Sequence, residues 1–310
     1  MTEDSNRHGL EKALIGNACI MAATIFWGVN YAFTKALIPH WMSAEAVAAV
    51  RLLGGCALFW PASLFVHCEK LDRQSMIRAA FSGVIGLFGC IYLFVLALKY
   101  GSAIDISIIM TLQPVFVIII EILFLHRRPA LLEYTGMAVS LAGAVMIILA
   151  GGNSQHGASN YLLGDILGIA AGICFASYLV VLAKPTAKYP PITLLRWVFL
   201  YSALPAIFLS PSLFHMPLLH CEQAMPWLEI GFILLGPTFF SYLLNQPAIH
   251  DIGPVLAALY QYLVPVVATI SAIILGVDSL SWQQVCAMAI IIGGMILTNF
   301  GKKHEKGIKS

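Results

Sequence analysis

Aromatic rings and carboxamides recur inside long apolar stretches of this sequence, and they are the residue types best suited to hold a guest molecule. Trp27 and Asn30 are one helical turn apart. Tyr92, Gln113, Tyr178, Tyr242 and Asn245 lie in later apolar runs, and Tyr260, Gln261 and Tyr262 are consecutive. Ring walls with a few fixed amides suit an amphipathic or zwitterionic solute. Ring faces also attract cations. Ordinary packing and interfacial aromatic belts use the same residues, so each position taken alone has two readings. Asn30 and Gln113 point most directly to function, because an amide surrounded by hydrocarbon needs a polar partner.

Pro114 directly follows Gln113, and Pro265 follows Tyr262 by a short step. A proline within a helix removes one hydrogen bond and displaces the carbonyl four residues earlier. Those carbonyls belong to Met110 and Gln261. In a membrane such groups must be buried in protein or face water, so both prolines are expected to bend helices beside a central cavity. A simple packing kink is the competing reading.

Charges inside apolar runs are the third group. At the bilayer centre a charge costs about 2.5–3.5 kcal/mol on insertion scales, so it usually faces protein or water. Lys35, Arg51, Lys99 and Asp105 fall toward one end of the first runs, whereas Lys184, Arg196, His250 and Asp251 fall toward the opposite end of the later runs. Two polar clusters that gate a cavity from opposite sides would use them in this way, with Arg51 the strongest individual candidate. Snorkelling and end-anchoring are the alternatives. Glu121 is read either as a proton-coupling carboxylate or as a local partner of Arg127 or Arg128. No acid lies in the middle of the first run, which argues against a cationic-drug/proton antiporter with a carboxylate there.

No catalytic constellation accompanies these residues. The sequence has no phosphate-gripping glycine loop, no HExxH pair and no GxSxG elbow. A non-enzymatic protein without a cofactor is expected. The HxxxxHCE stretch from His215 to Glu222 is a weak metal signal better read as a polar loop. The seven cysteines contain no CxxC pair, and most sit in apolar runs as small hydrophobes, so no structural disulfide is expected.

The elements that must position such residues follow from composition. Of 310 residues, 60% are hydrophobic and 10% charged, against about 45–50% and about 25% in soluble domains. The net charge of +2 is too small for a nucleic-acid footprint. Apolar runs are expected at Ala13–Thr34, Ala44–Val66, Ala79–Leu98, Ile106–Leu125, from Glu133 to Ala150, Tyr161–Ala183, Ile192–Ser210, Met225–Asn245, Pro254–Leu275 and Ser281–Phe300. This predicts an all-α, polytopic membrane protein of ten transmembrane helices, each about 20 residues long. Strand alternation is absent, which argues against a β-barrel. The first run lacks a cleavage site and reads as an uncleaved helix.

Most of the 17 Lys and Arg residues fall at one set of helix ends. The positive-inside rule then places both termini in the cytoplasm. The basic Lys302–Lys309 tail would sit near anionic lipid. One constant offset lays Pro114 on Pro265, Ala97 on Ala248 and Gly143 on Gly294. The expected organisation is a five-helix repeat at 1–152, a linker at 153–160, a second repeat at 161–301 and a tail at 302–310. An odd number of spans inverts the second repeat, which places a site between the halves near the midplane. Glycines spaced at three (Gly83, Gly86, Gly89) and at four (Gly164, Gly168, Gly172) predict close helix seams.

Phe26-Trp27-Gly28-Val29-Asn30 with Lys35, Arg51, Leu112-Gln113-Pro114, Leu263-Val264-Pro265 and the glycine-bearing ends of the fifth and tenth runs resemble the EamA-type permeases of the drug/metabolite transporter superfamily. The chain departs from that family's pattern at Arg127, where a Glu is usual; the mirrored position is Asp278. The resemblance implies a secondary transporter, commonly an exporter, of amino acids or other small metabolites. It implies a multi-pass protein of the bacterial inner membrane, monomeric or homodimeric, whose partners are a small-molecule substrate and lipid. A lipid or lipid-linked flippase and, more remotely, an intramembrane enzyme are the alternatives.

Overall fold

The computed structural model describes residues 2–38, 40–126, 129–150, 160–186, 188–245 and 260–308, and among them there are helices and connections but no strand. We label the helices α1 (Thr2–Leu37), α2 (Ala44–Ala62), α3 (Arg73–Tyr100), α4 (Ala103–Met110), α5 (Gln113–Leu125), α6 (Leu131–Ala150), α7 (Tyr161–Thr186), α8 (Pro191–Ala206), α9 (Ala224–Asn245), α10 (Val264–Ile274) and α11 (Trp282–Ile308). Among the described residues seven helices are long and apolar enough to cross a bilayer, or eight if α4 and α5, bent by 40°, form one broken span. Gln261–Ile274 and Trp282–Thr298 are shorter apolar helices. The predicted linker at 153–160 lies almost wholly outside the described residues, as do His250, Asp251, Arg127 and Arg128.

Caps fix where the helices begin. The side chains of Ser43, Asp72 and Ser102 accept from the backbone N–H groups of Ala46, Ser75 and Asp105, satisfying donors that a first turn leaves open. At α11, Ser281 and Gln284 form a reciprocal capping box, Gln284 Oε1 accepting from Ser281 N–H at 2.7 Å.

Pro114 stands at the 40° bend between α4 and α5, and the bend takes the form of a break. It does not kink a continuous helix. The chain stops at Met110, where Thr111 and Leu112 donate to Ile108 and Ile109 at 3.1 and 3.0 Å, and restarts with Pro114 in the first turn of α5. A missing N–H costs nothing there. Pro265 occupies the same place in α10, after a 3₁₀ turn at Gln261–Leu263.

Helices α3 and α9 each contain a seven-residue π-helical stretch, Ser82–Phe88 and Leu234–Phe240. Such widened turns are rare, and they change which side chains and carbonyls face inward.

Successive helices alternate between two ends of the bundle. At the end where α1 begins (proximal), Tyr260 Oη donates to Asn17 Oδ1 at 2.9 Å, and Lys188 pairs with Asp72 at 2.6 Å. At the end where α1 finishes (distal), the Leu218 N–H donates to the Trp41 carbonyl at 3.1 Å. The most extensive packing is α3 on α7 and α6 on α11, followed by α3 on α8, α4–α5 on α7, α1 on α10 and α2 on α8. Small residues permit it. A Cβ on Gly136 would come within 2.5 Å of the Gly294 carbonyl, and one on Gly164 within 2.6 Å of the Gly101 backbone. The glycine seams read from the sequence do pack helices: Gly83 faces the Val198 carbonyl and Gly86 faces Tyr178.

Candidate functional site

A cavity of about 370 Å³ lies among the helices. Trp27, Asn30 and Tyr31 of α1, Arg51 of α2, and Cys90, Ile91 and Phe94 of α3 form one side of it. The α4–α5 break contributes Ser107, Met110, Thr111, Gln113 and Pro114, while Phe175, Leu179, Tyr242, Asn245, Gln261, Tyr262, Met295 and Thr298 complete the wall.

The structure therefore brings together Trp27, Asn30, Arg51, Gln113, Pro114, Tyr242, Asn245, Gln261 and Tyr262. It separates four other nominated residues from the lining. Tyr92 stacks on Phe88 at 5.7 Å. Tyr178 is buried behind Tyr242, edge-on at 6.2 Å. Tyr260 is used by Asn17, and Pro265 is buried in α10. Sequence reasoning missed Tyr31, Phe94, Ser107 and Thr111. Tyr31 adjoins Asn30, and Thr111 lies two residues before Gln113; adjacency to those amides was the available signal.

The widened turn of α9 organises one wall. Thr238 Oγ1 donates to the Ile233 carbonyl at 2.8 Å and accepts from Arg51 Nε at 3.1 Å. The Pro237 carbonyl accepts from Trp27 Nε1 at 3.3 Å. Arg51 is 4% exposed, and its guanidinium carbon lies 5.7 Å from the Phe94 ring centre. Asn30 Oδ1 accepts from Thr34 Oγ1 at 3.3 Å, which leaves the Asn30 amide N–H₂ for the cavity.

The distal end is closed by a polar cluster. Lys35 Nζ donates to the carbonyls of Leu98 and Gly101 at 2.7 and 2.6 Å. Asp278 accepts from Ser102 Oγ and from the Ile104 N–H, so it holds the start of α4. Asp105 Oδ1 accepts from Gln284 Nε2 at 2.7 Å. Its Oδ2 and both oxygens of the fully buried Asp165 have no hydrogen bond among the described residues. Lys35 and Asp105, expected as gate residues, both lie around the start of α4. The expected exchange of ion pairs is replaced, in this conformation, by bonds to carbonyls and amides. Lys99 stands apart, over the Tyr100 ring at 5.4 Å. The sequence reading missed Asp165 and Gln284, and it left Asp278 without a role.

The proximal cluster differs more from expectation. Lys184 is exposed. Arg196 lies over the rings of Trp60 and Trp197, 5.7 Å from each centre, and does not line the cavity. Glu121 is half-buried on α5 and also does not line it. Instead, Lys188 joins Asp72, and the Asp72 N–H donates to Tyr189 Oη at 3.1 Å. The Lys188 ammonium and the Ser75 N–H hold the Asp72 carboxyl well below the usual carboxylate range, while Asp72 pushes Lys188 up.

Comparison with known proteins points one way. The model of the EamA-like transporter family matches residues 14–149 and 162–300. A Bacillus subtilis protein described as uncharacterized transporter YyaM is 24% identical, with 91% of this chain and 92% of that protein covered. A Salmonella typhimurium protein described as a probable amino-acid metabolite efflux pump is also 24% identical, covering 91% and 93%. An Archaeoglobus fulgidus transporter is 30% identical over 73% and 75%. One solved crystal structure superposes with a TM-score of 0.62 at 20% identity over 94% of this chain and 97% of its own, which speaks to fold.

Proposed function

The chain belongs to the EamA-like transporter family, and from that premise we propose that it is a secondary transporter of small organic metabolites, working as an exporter by alternating access around the central cavity. The observation that carries this reading is the cavity itself, walled by described residues from both halves of the chain, with a polar cluster across its distal end.

The packing supports two inverted five-helix repeats. Exchange of α1 with α7, α2 with α8, α3 with α9, α4–α5 with α10 and α6 with α11 carries the α3–α7 contact onto α9–α1, and the α1–α10 contact onto α7–α4 and α7–α5. The α6–α11 and α2–α8 contacts map onto themselves. The widened turns of α3 and α9 and the proline-started helices α5 and α10 are paired in the same way. Inverted halves of this kind rock around a fixed midplane site. The basic residues at the proximal end favour a cytoplasmic location for it, so the polar cluster at the distal end lies toward the outside. A bacterial inner-membrane location agrees with a relative described as the inner membrane transporter YedA of Escherichia coli. The metabolite class follows the Salmonella relative's description as an amino-acid metabolite efflux pump.

Purified protein in liposomes, presented with a panel of labelled amino acids and related metabolites, tests the proposal. Saturable flux that is lost in Trp27→Ala or Gln113→Ala is expected. Lipid scrambling without metabolite flux would replace this reading with a flippase.

A further inference from the structure

We infer that Arg51 is the anchor for a substrate carboxylate, and that the cavity selects α-amino acids and other monocarboxylates with an apolar body over their amides and amines. The inference rests on the transporter reading and narrows its substrate class.

Among the described lining residues Arg51 alone bears a formal charge. It is almost fully buried, and no carboxylate among the described residues lies within ion-pair distance. Thr238 takes Nε, and the two terminal nitrogens have no hydrogen bond among the described residues. A buried guanidinium in that state is costly. It is also a fork matched to a carboxylate, which can accept two parallel N–H bonds from it. The Nε bond to Thr238 and the Phe94 face fix the plane of the fork from behind.

The surroundings agree. Helices α5 and α10 both begin at the cavity, with Gln113 and Val264 in its wall. Their N-terminal dipole ends favour negative charge. No described lining residue supplies a competing anion. Trp27, Tyr31, Phe94 and Tyr242 offer an apolar wall, the Gln113 amide oxygen can accept from an ammonium, and the Asn30 amide N–H₂ can donate to a carboxylate. About 370 Å³ falls within the size range of small-molecule sites.

The test uses purified wild type and the variants Arg51→Gln, Arg51→Lys and Thr238→Val. The probes are L-phenylalanine, L-leucine, phenylpropionate, phenylalaninamide and leucinamide, read by ligand-induced thermal stabilisation and by liposome flux. At least one carboxylate probe should stabilise the wild type, while its amide should need about tenfold or more the concentration. Arg51→Gln should erase that preference, and Arg51→Lys and Thr238→Val should weaken carboxylate binding while leaving some of it. Amides binding as well as acids, or no carboxylate probe binding at all, would overturn the assignment. So would a monodisperse Arg51→Gln protein that binds acids normally. Where Arg51→Gln does not fold, the acid-to-amide ratio in wild type and in Thr238→Val decides the matter. Flux of amides or amines without flux of acids would sink the carboxylate anchor and leave the transporter reading standing; absence of flux for the whole metabolite panel would sink the transporter reading itself.

Discussion

Thr238 shows how much a small residue can carry in a hydrocarbon-rich setting. It satisfies the Ile233 carbonyl and one N–H of a buried guanidinium. Thr238→Val keeps the shape and removes both bonds, and an unmet buried donor costs about 1–3 kcal/mol. The expected result is a lower melting temperature of the detergent-solubilised protein. Trp27→Ala is expected to behave differently, because Trp27 lines the cavity. It should remove ligand-induced stabilisation while the protein remains monodisperse, as should Gln113→Ala. Asn30, Gln113 and Arg51 were legible as site residues from sequence because each is a polar group that hydrocarbon cannot accommodate. Tyr92 and Tyr178 were not separable from true lining residues on the same grounds. A tyrosine gives no clue to whether its ring faces a cavity or a glycine on the next helix, as Tyr178 does with Gly86.

At the scale of elements, the apolar runs located most helices, but their internal geometry was hidden. The widened turns of α3 and α9 add a residue to a turn, so the 3.6-residue phase on which face assignments rest slips midway. Nothing in Ser82–Phe88 or Leu234–Phe240 announces that slip except the small residues and Pro237. The break before Gln113 was half legible. Proline marked its place, yet the structure uses proline to start α5 rather than to bend α4. The α6–α11 seam gives a sharper prediction. A Cβ on Gly294 would stand 2.5 Å from Ser140 Oγ and 2.6 Å from the Gly136 carbonyl. Backbone cannot yield as a side chain can, so Gly294→Ala should destabilise by about 1–3 kcal/mol. Gly293→Ala, whose Cβ would meet nothing within 4 Å, should not. Thermal melting of the two neighbours side by side checks this.

For the whole molecule, the two ends are held by different chemistry. At the distal end Lys35 bridges carbonyls of α3 and its following turn, and Asp278 holds α4. Lys35→Met leaves the Leu98 and Gly101 carbonyls without that donor. The population open at this end should rise, seen as faster labelling of Ser107→Cys by an impermeant maleimide from that side. The proximal end has the Asp72–Lys188 pair between the α2–α3 and α7–α8 connections. Both groups are exposed, so the pair should tilt the conformer balance rather than the melting temperature. The carboxyl is depressed on folding, so its contribution is complete above about pH 4, the unfolded range. It is lost as pH falls through the lower folded value. Asp72→Asn, which keeps an acceptor for the α3 cap, and Lys188→Ala should shift inter-end distances equally at neutral pH, and the double variant no further. These cross-connections join residues 63 to 174 positions apart, beyond what local periodicity encodes.

Cys90, a free cysteine, lines the cavity beside Ile91 and Phe94. That gives the molecule a built-in occupancy meter. In a background where the other six cysteines are serine or alanine, a small permeant thiol reagent should react at a rate set by whether the chamber is tenanted. Any solute that slows the reaction at a saturating dose would be identified as a lodger without isotopes or knowledge of what drives its passage.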